Sequence, residues 1–157
     1  MSDAVVCRKQ GEGTALWMLG GLYEVKLSGE ESDGSATVIE MTLPPGQGPP
    51  PHVHPGAESV YVLEGSIDYH IGDDVVEGTA GSFFHIPAGT LERFEPTGDV
   101  PVRLLVTYAP GGIDRFFAEA GEQAPALTLP PPSDEPPDLE RISAIGTRYG
   151  MDIRAPG

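Results

Sequence analysis

The chain has 157 residues, and its 24 acidic side chains outnumber nine basic ones to give a formal net charge of −15. So negative a surface repels phosphate backbones and anionic lipid headgroups, which argues against nucleic-acid and membrane partners. The length suits one domain, and the 21 glycines and 17 prolines fall between short β-branched and aromatic runs, as in many strands joined by tight turns.

In chain order, residues 22–27 read as a strand and Ser32-Asp33-Gly34 as a turn. Residues 36–43 form a second strand, ended by Pro44-Pro45. The proline-rich run 44–51 cannot donate ladder hydrogen bonds at its prolines and reads as a stiff loop. Further strands are expected at 59–63, 67–71, 75–76, 82–86, 91–94 and 102–108, separated by turns such as Glu64-Gly65-Ser66 and Gly72-Asp73-Asp74. Short strands at this spacing, without strand-helix-strand alternation, indicate a sandwich or barrel.

The pattern changes after Pro110. Ile113, Phe116, Phe117 and Ala120 recur at i, i+3, i+4 and i+7, which predicts a helix over 112–120 closed by Gly121 at the C′ position. Residues 122–137 are rich in proline and acid and read as an extended linker. Asp138 is placed to cap a second short helix with Leu139, Ile142 and Ile145 on one side. Each helix is too short for a core of its own. The expectation is therefore one domain over 1–157, with a barrel at about 14–109 and both helices packed on its outside or on a second subunit.

Cys7 is the single cysteine, so no internal disulfide can form. Residues 1–13 are polar, without the apolar stretch of a signal peptide, and no run reaches transmembrane length. A soluble, cytoplasmic protein is expected.

The segment 46–65 carries the chemistry. His52 and His54 are separated by one residue, and on an extended strand residues i and i+2 share a face. Glu58 keeps the same parity, provided that Pro55-Gly56 does not kink the chain. Two imidazoles and a carboxylate with open positions suit a catalytic divalent metal. A His-x-His pair by itself fits two exposed loop histidines equally well.

Gly46, His52, His54, Glu58 and Gly65 stand at the spacings of the first cupin motif, and Gly81, Pro87 and Gly89 at those of the second. The chain departs from that second motif where Glu92 replaces a histidine and Pro96 an asparagine. Segments 17–25, 48–54, 81–90, 109–121 and 136–153 are similar to a group of bacterial monocupins described as quercetin 2,3-dioxygenase-like. The resemblance implies an all-β fold, a double-stranded antiparallel β-helix of jelly-roll type, with two short C-terminal helices. It places His52, His54 and Glu58 where cupins hold three metal ligands and Glu92 where they hold the fourth. Glu58 or Glu92 would move a proton. The cofactor would be one divalent ion, Fe, Mn, Ni or Zn, and cupins commonly form homodimers.

The activity so implied is a metal-dependent reaction on a small aromatic or enol-bearing molecule in the barrel cavity, dioxygenase-like. A non-redox polyketide cyclase or isomerase, or a non-catalytic small-ligand-binding cupin, are the alternatives. Two histidines and two glutamates would make a divalent site formally neutral, a weaker Lewis acid than the usual set and one that favours harder metals. Glu92 has a second reading, as a surface partner of Arg93. His85 fits an inward or an outward position, and His70 reads as structural. Tyr61, Phe83, Phe84, Val60 and Val62 read as core or cavity wall, and Trp17 as a cover for the barrel end or part of an interface.

Overall fold

The computed structural model describes residues 4–154. Two antiparallel sheets face each other. The seven-stranded sheet contains β1 (Thr14–Met18), β2 (Gly21–Leu27), β3 (Thr37–Leu43), β5 (Ala57–Glu64), β8 (Phe83–Ile86), β10 (Val102–Ala109) and β11 (Glu122–Gln123), ordered β11-β1-β2-β3-β10-β5-β8. The five-stranded sheet contains β4 (His52–Val53), β6 (Ser66–Ile71), β7 (Asp74–Thr79), β9 (Leu91–Thr97) and β12 (Asp152–Ile153), ordered β12-β4-β9-β6-β7. The chain passes between sheets repeatedly, as a jelly roll does.

Strict alternation builds the interior. In β3 the inward row is Thr37, Ile39, Met41 and Leu43; in β10 it is Val102, Leu104, Val106 and Tyr108. The same parity sends Glu58, Val60 and Val62 inward from β5, and Glu92 and Phe94 inward from β9. Carboxylates thus sit in rows otherwise filled by apolar side chains. Gly65 makes the crossing from β5 to β6 at φ +84°, where an added Cβ would lie 3.0 Å from the Pro101 carbonyl oxygen. The first-motif glycine is therefore required by both conformation and close approach.

Helices α1 (Asp114–Ala120) and α2 (Leu139–Arg148) follow the barrel. Asp138 Oδ1 accepts from Arg141 N–H at 3.0 Å, the N-cap expected from sequence. Gly121 is not a left-handed cap: its backbone is extended, at φ −92° and ψ −172°. Its lack of a side chain serves contact instead, since a Cβ would lie 2.8 Å from the Trp17 carbonyl oxygen.

Neither helix lies on the barrel's outside. Phe116, Phe117, Ile142, Ile145 and Met151 join the barrel residues in one buried apolar cluster, so the helices close the interior. The strand reading began at residue 22 and missed β1 (Thr14–Met18), and two shorter strands escaped it too. Glu122–Gln123 opens the expected linker by pairing with β1, and Asp152–Ile153 pairs with β4. Among the described residues, Cys7 is a free, exposed thiol, and no helix is long and apolar enough to cross a membrane.

Candidate metal centre

The proline run ends at β4, a strand of two residues wedged between β9 and β12. His52 lies in register with Glu92 across the β4–β9 pair. His54 follows β4, and its carbonyl accepts from Gly89 N–H at 3.0 Å. The Pro87-x-Gly89 turn thereby ties the second motif to the loop carrying the first. Gly56 then lets the chain pass close to β10, since a Cβ there would lie 2.7 Å from the Ala109 carbonyl oxygen. The strand resumes with Glu58 on the inward face, in register with Tyr108. Pro55-Gly56 does not break the parity.

All four side chains are buried, Glu58 and Glu92 at 2% exposure each. One ligand-type atom from each of His52, His54, Glu58 and Glu92 lies within 4.8 Å of the others. His52 Nε2 is 3.4 Å from Glu92 Oε1, and His54 Nε2 is 3.0 Å from Glu58 Oε2. Ligand bonds of about 2.1 Å place neighbouring ligand atoms about 3.0–3.4 Å apart, and these two His–Glu pairs have that spacing.

Two further observations fit a cation. His54 Nδ1 and Glu58 Oε2 are buried without a hydrogen-bond partner; the 3.0 Å approach of His54 to Glu58 is not aligned as one. Burying a polar atom unpaired costs about 1–3 kcal/mol, which coordination removes for the Glu58 oxygen. His52 Nδ1 stands 2.8 Å from the Pro50 carbonyl oxygen. A carbonyl only accepts, so Nδ1 carries a hydrogen, and this contact aims Nε2 at Glu92.

The electrostatics divide the carboxylates. Burial, then the charge of Glu92, holds Glu58 well above the usual carboxylate range, against the pull of His52. Burial also pushes Glu92 upward, but hydrogen bonds from His52 and Glu58 and the two imidazoles outweigh it and keep Glu92 low. The two carboxyls are thus driven apart, Glu58 upward and Glu92 downward. Burial lowers the His54 pKa, against the charge of Glu92.

Tyr69 and Tyr108 complete the surroundings. The Tyr69 hydroxyl donates to Glu92 Oε1 at 3.0 Å, and the His54 ring packs on Tyr108 with centroids 5.1 Å apart. Burial raises both phenols well above their usual range, so both stay neutral, and Tyr69 is the one that donates to the cluster. Neither tyrosine was singled out from sequence as part of the site. Tyr69 shares parity with Ile67 on β6, and that alternation was the available signal. An interior cavity of about 50 Å³ adjoins the cluster, with Phe94, Tyr108, Phe116, Phe117 and Ile142 in its walls.

Other expectations resolve differently. Arg93 alternates away from Glu92 and pairs with Glu95 at 3.7 Å, so Glu92 has no surface partner there. His85 faces outward and shares a 3.0 Å hydrogen bond with Ser59, and His70 is half-buried away from the cluster. Val60 and Val62 are core and Phe84 packs on Tyr69, but Phe83 is 64% exposed beside exposed Tyr61. Trp17 Nε1 donates to the Thr128 carbonyl at 2.7 Å and clamps the segment after α1.

A family model described as "Cupin domain" matches residues 39–108, which span β3 to β10 and all four clustered side chains. Residues 39–108 thus form a cupin domain. This cupin is 24% identical over 115 residues to quercetin 2,3-dioxygenase of Bacillus subtilis, covering 73% of the chain and 34% of that relative. It is 30% identical over 70 residues to gentisate 1,2-dioxygenase of Haloferax, covering 45% of the chain and 20% of that relative. The chain thus spans about a third or less of the length of these curated relatives.

Among solved structures, a Thermotoga maritima protein described as a predicted oxalate decarboxylase superposes with a TM-score of 0.58 at 28% identity. That match covers 68% of this cupin and 99% of the other chain. An RmlC-like cupin from Shewanella frigidimarina gives a TM-score of 0.58 at 18% identity, covering 68% and 93%. The latter likeness is one of fold.

Proposed function

We propose that this cupin is a metal-dependent enzyme acting on a small aromatic or enol-bearing molecule, with dioxygenase-like chemistry. The observation that carries the reading is the gathering of His52, His54, Glu58 and Glu92, all buried, within 4.8 Å. Two relatives that are dioxygenases by name support it. In this reading the four side chains hold one divalent cation. When bound, the cation supplies Lewis-acid polarisation of a substrate oxygen.

The chain's own groups supply the rest. The Pro50 carbonyl orients His52. Tyr69 holds Glu92, the carboxylate kept ionised and so the steadier ligand. Glu58, the carboxyl with the raised pKa, is the acid-base group, since paired carboxyls with separated pKa values divide such roles. Phe116, Phe117 and Ile142 give the space beside the cluster an apolar wall. Oxygen uptake by the metal-loaded protein with quercetin tests the reading. Uptake that disappears in the His52→Ala/His54→Ala double variant is expected; its absence with Fe, Mn, Ni and Zn alike would count against flavonol dioxygenation.

One observation favours a second reading, a non-redox cyclase or isomerase. The Glu58 carboxyl, with its pKa raised by burial, is placed for proton transfer, which needs no oxidant. Conversion of an enol-bearing substrate under nitrogen would separate this from the first. The interior cavity has room for only a few water molecules, so a flavonol must approach from outside or displace the helices. A homodimer remains part of the proposal, supported by exposed Tyr61 and Phe83 on the β8 edge of the larger sheet. Light scattering well above 16.5 kDa is its expected signature.

A further inference from the structure

A second pocket, of about 330 Å³, lies behind His54. His54 and Tyr108 line both this pocket and the interior cavity, so one imidazole stands between them. The rest of the wall is proline, glycine, alanine, Ile113, Tyr149 and Arg115. Its volume is at the lower end of the range of about 300–1,000 Å³ typical of small-molecule sites.

We propose that this pocket binds a small organic carboxylate, gripped by Arg115, with its apolar body directed toward His54. The orientation rests on the reading of the His/Glu cluster as a reaction centre; the binding does not. The first argument is charge. The chain has 24 acidic residues, yet none lines this pocket. Arg115 is the one charged side chain in the wall.

The second argument is the state of that arginine. Arg8, Arg93, Arg103, Arg148 and Arg154 each pair with a carboxylate. Arg141 donates to the Ala120 and Glu119 carbonyls. Among the described residues, the Arg115 side chain makes neither an ion pair nor a hydrogen bond. In a chain of net charge −15, an arginine without a carboxylate partner has a vacant fork. Glu119, on the same helix, is already engaged by Arg148 and by the Tyr149 hydroxyl at 2.8 Å.

The third argument is placement and type. Gly112, at φ +124°, turns the chain out of β10, and Arg115 N–H donates to its carbonyl at 3.1 Å. This turn fixes Arg115 beside the pocket. One guanidinium matches one carboxylate through two parallel hydrogen bonds, whereas a phosphate dianion needs more cationic groups than the wall offers.

The test titrates the full-length protein with benzoate and with benzamide, its neutral isostere, by calorimetry. Metal content is measured separately by elemental analysis. Benzoate should bind at least tenfold more tightly than benzamide. Arg115→Gln should raise the benzoate Kd about tenfold and leave benzamide unchanged, and Arg115→Lys should restore part of the loss. The His54 ring resonances should shift as benzoate is added. Equal binding of the two probes, no benzoate binding, an unchanged Kd in a folded Arg115→Gln protein, or unmoved His54 resonances each overturns the proposal. Benzoate binding through Arg115 in a protein that takes up no metal overturns the metal-enzyme reading and leaves this one standing.

Discussion

His52 and Glu92 face each other across the β4–β9 pair, in register, with Nε2 3.4 Å from Oε1. Opposed side chains on paired strands are about 4.5–5.5 Å apart at Cβ, so a histidine on β4 and a residue at position 92 must share one site. That backbone relation holds whether position 92 carries the histidine of the usual second motif or the glutamate of this chain.

Glu92→Gln keeps the shape and removes the charge. Metal affinity, read by competition against a chelator, should fall about 10- to 100-fold, the range seen when a group at or next to a metal shell is lost. Glu92→His keeps a ligand opposite His52 and should retain tight binding with altered metal preference. A Glu92→Gln protein that titrates like the parent would make Glu92 a bystander.

Tyr69→Phe removes the hydroxyl that donates to Glu92 Oε1, at a position fully shielded from water. The loss should cost about 1–2 kcal/mol in the metal-free protein, seen as a melting temperature about 2–8 °C lower. Melting unchanged within error would mean that Glu92 finds another donor.

Metal uptake should release protons. Glu58 is held well above the ordinary carboxylate range, so ligation must expel its proton wherever the pH lies below that raised pKa. Affinity should therefore rise with pH until Glu58 ionises in the metal-free protein. The same raised pKa means that Glu58 destabilises the metal-free fold progressively as pH climbs above the unfolded-state carboxylate value of about 4.3. Calorimetry in buffers of different ionisation enthalpy measures the proton count; it is expected to fall as pH rises and to be smaller in Glu58→Gln.

Two phenylalanines make opposite predictions. Phe116 is buried among the residues that close the barrel, and Phe116→Ala should cost about 3–5 kcal/mol. Phe83 is 64% exposed on an edge strand, and Phe83→Ala should change stability by about 0.5 kcal/mol or less in a dilute monomer. Urea unfolding of both variants checks the pair. Equal costs would contradict the assignment of inside and outside.

That contrast shows what was legible in the residues. Side-chain type alone put both Phe83 and Phe84 in the core or cavity wall, although neighbours on one strand face opposite ways and Phe83 is the one turned outward. The spacing of His52, His54 and Glu58 and the Pro87-x-Gly89 turn did carry the site, because strand parity and one turn fix where those side chains point. Tyr69 was hidden because its partner, Glu92, is 23 residues away and meets it only through the β6–β9 register. The apolar faces of α1 and α2 were readable, yet their destination over the barrel depended on the path of the segment between them. β11 and β12 are two residues each, too short to leave any periodicity.

The most direct test is anomalous diffraction from crystals of the full chain soaked in manganese. The expected result is one strong peak coordinated by His52, His54, Glu58 and Glu92, with bonds of about 2.0–2.3 Å. A map at saturating manganese with no peak among these four side chains would contradict the central claim.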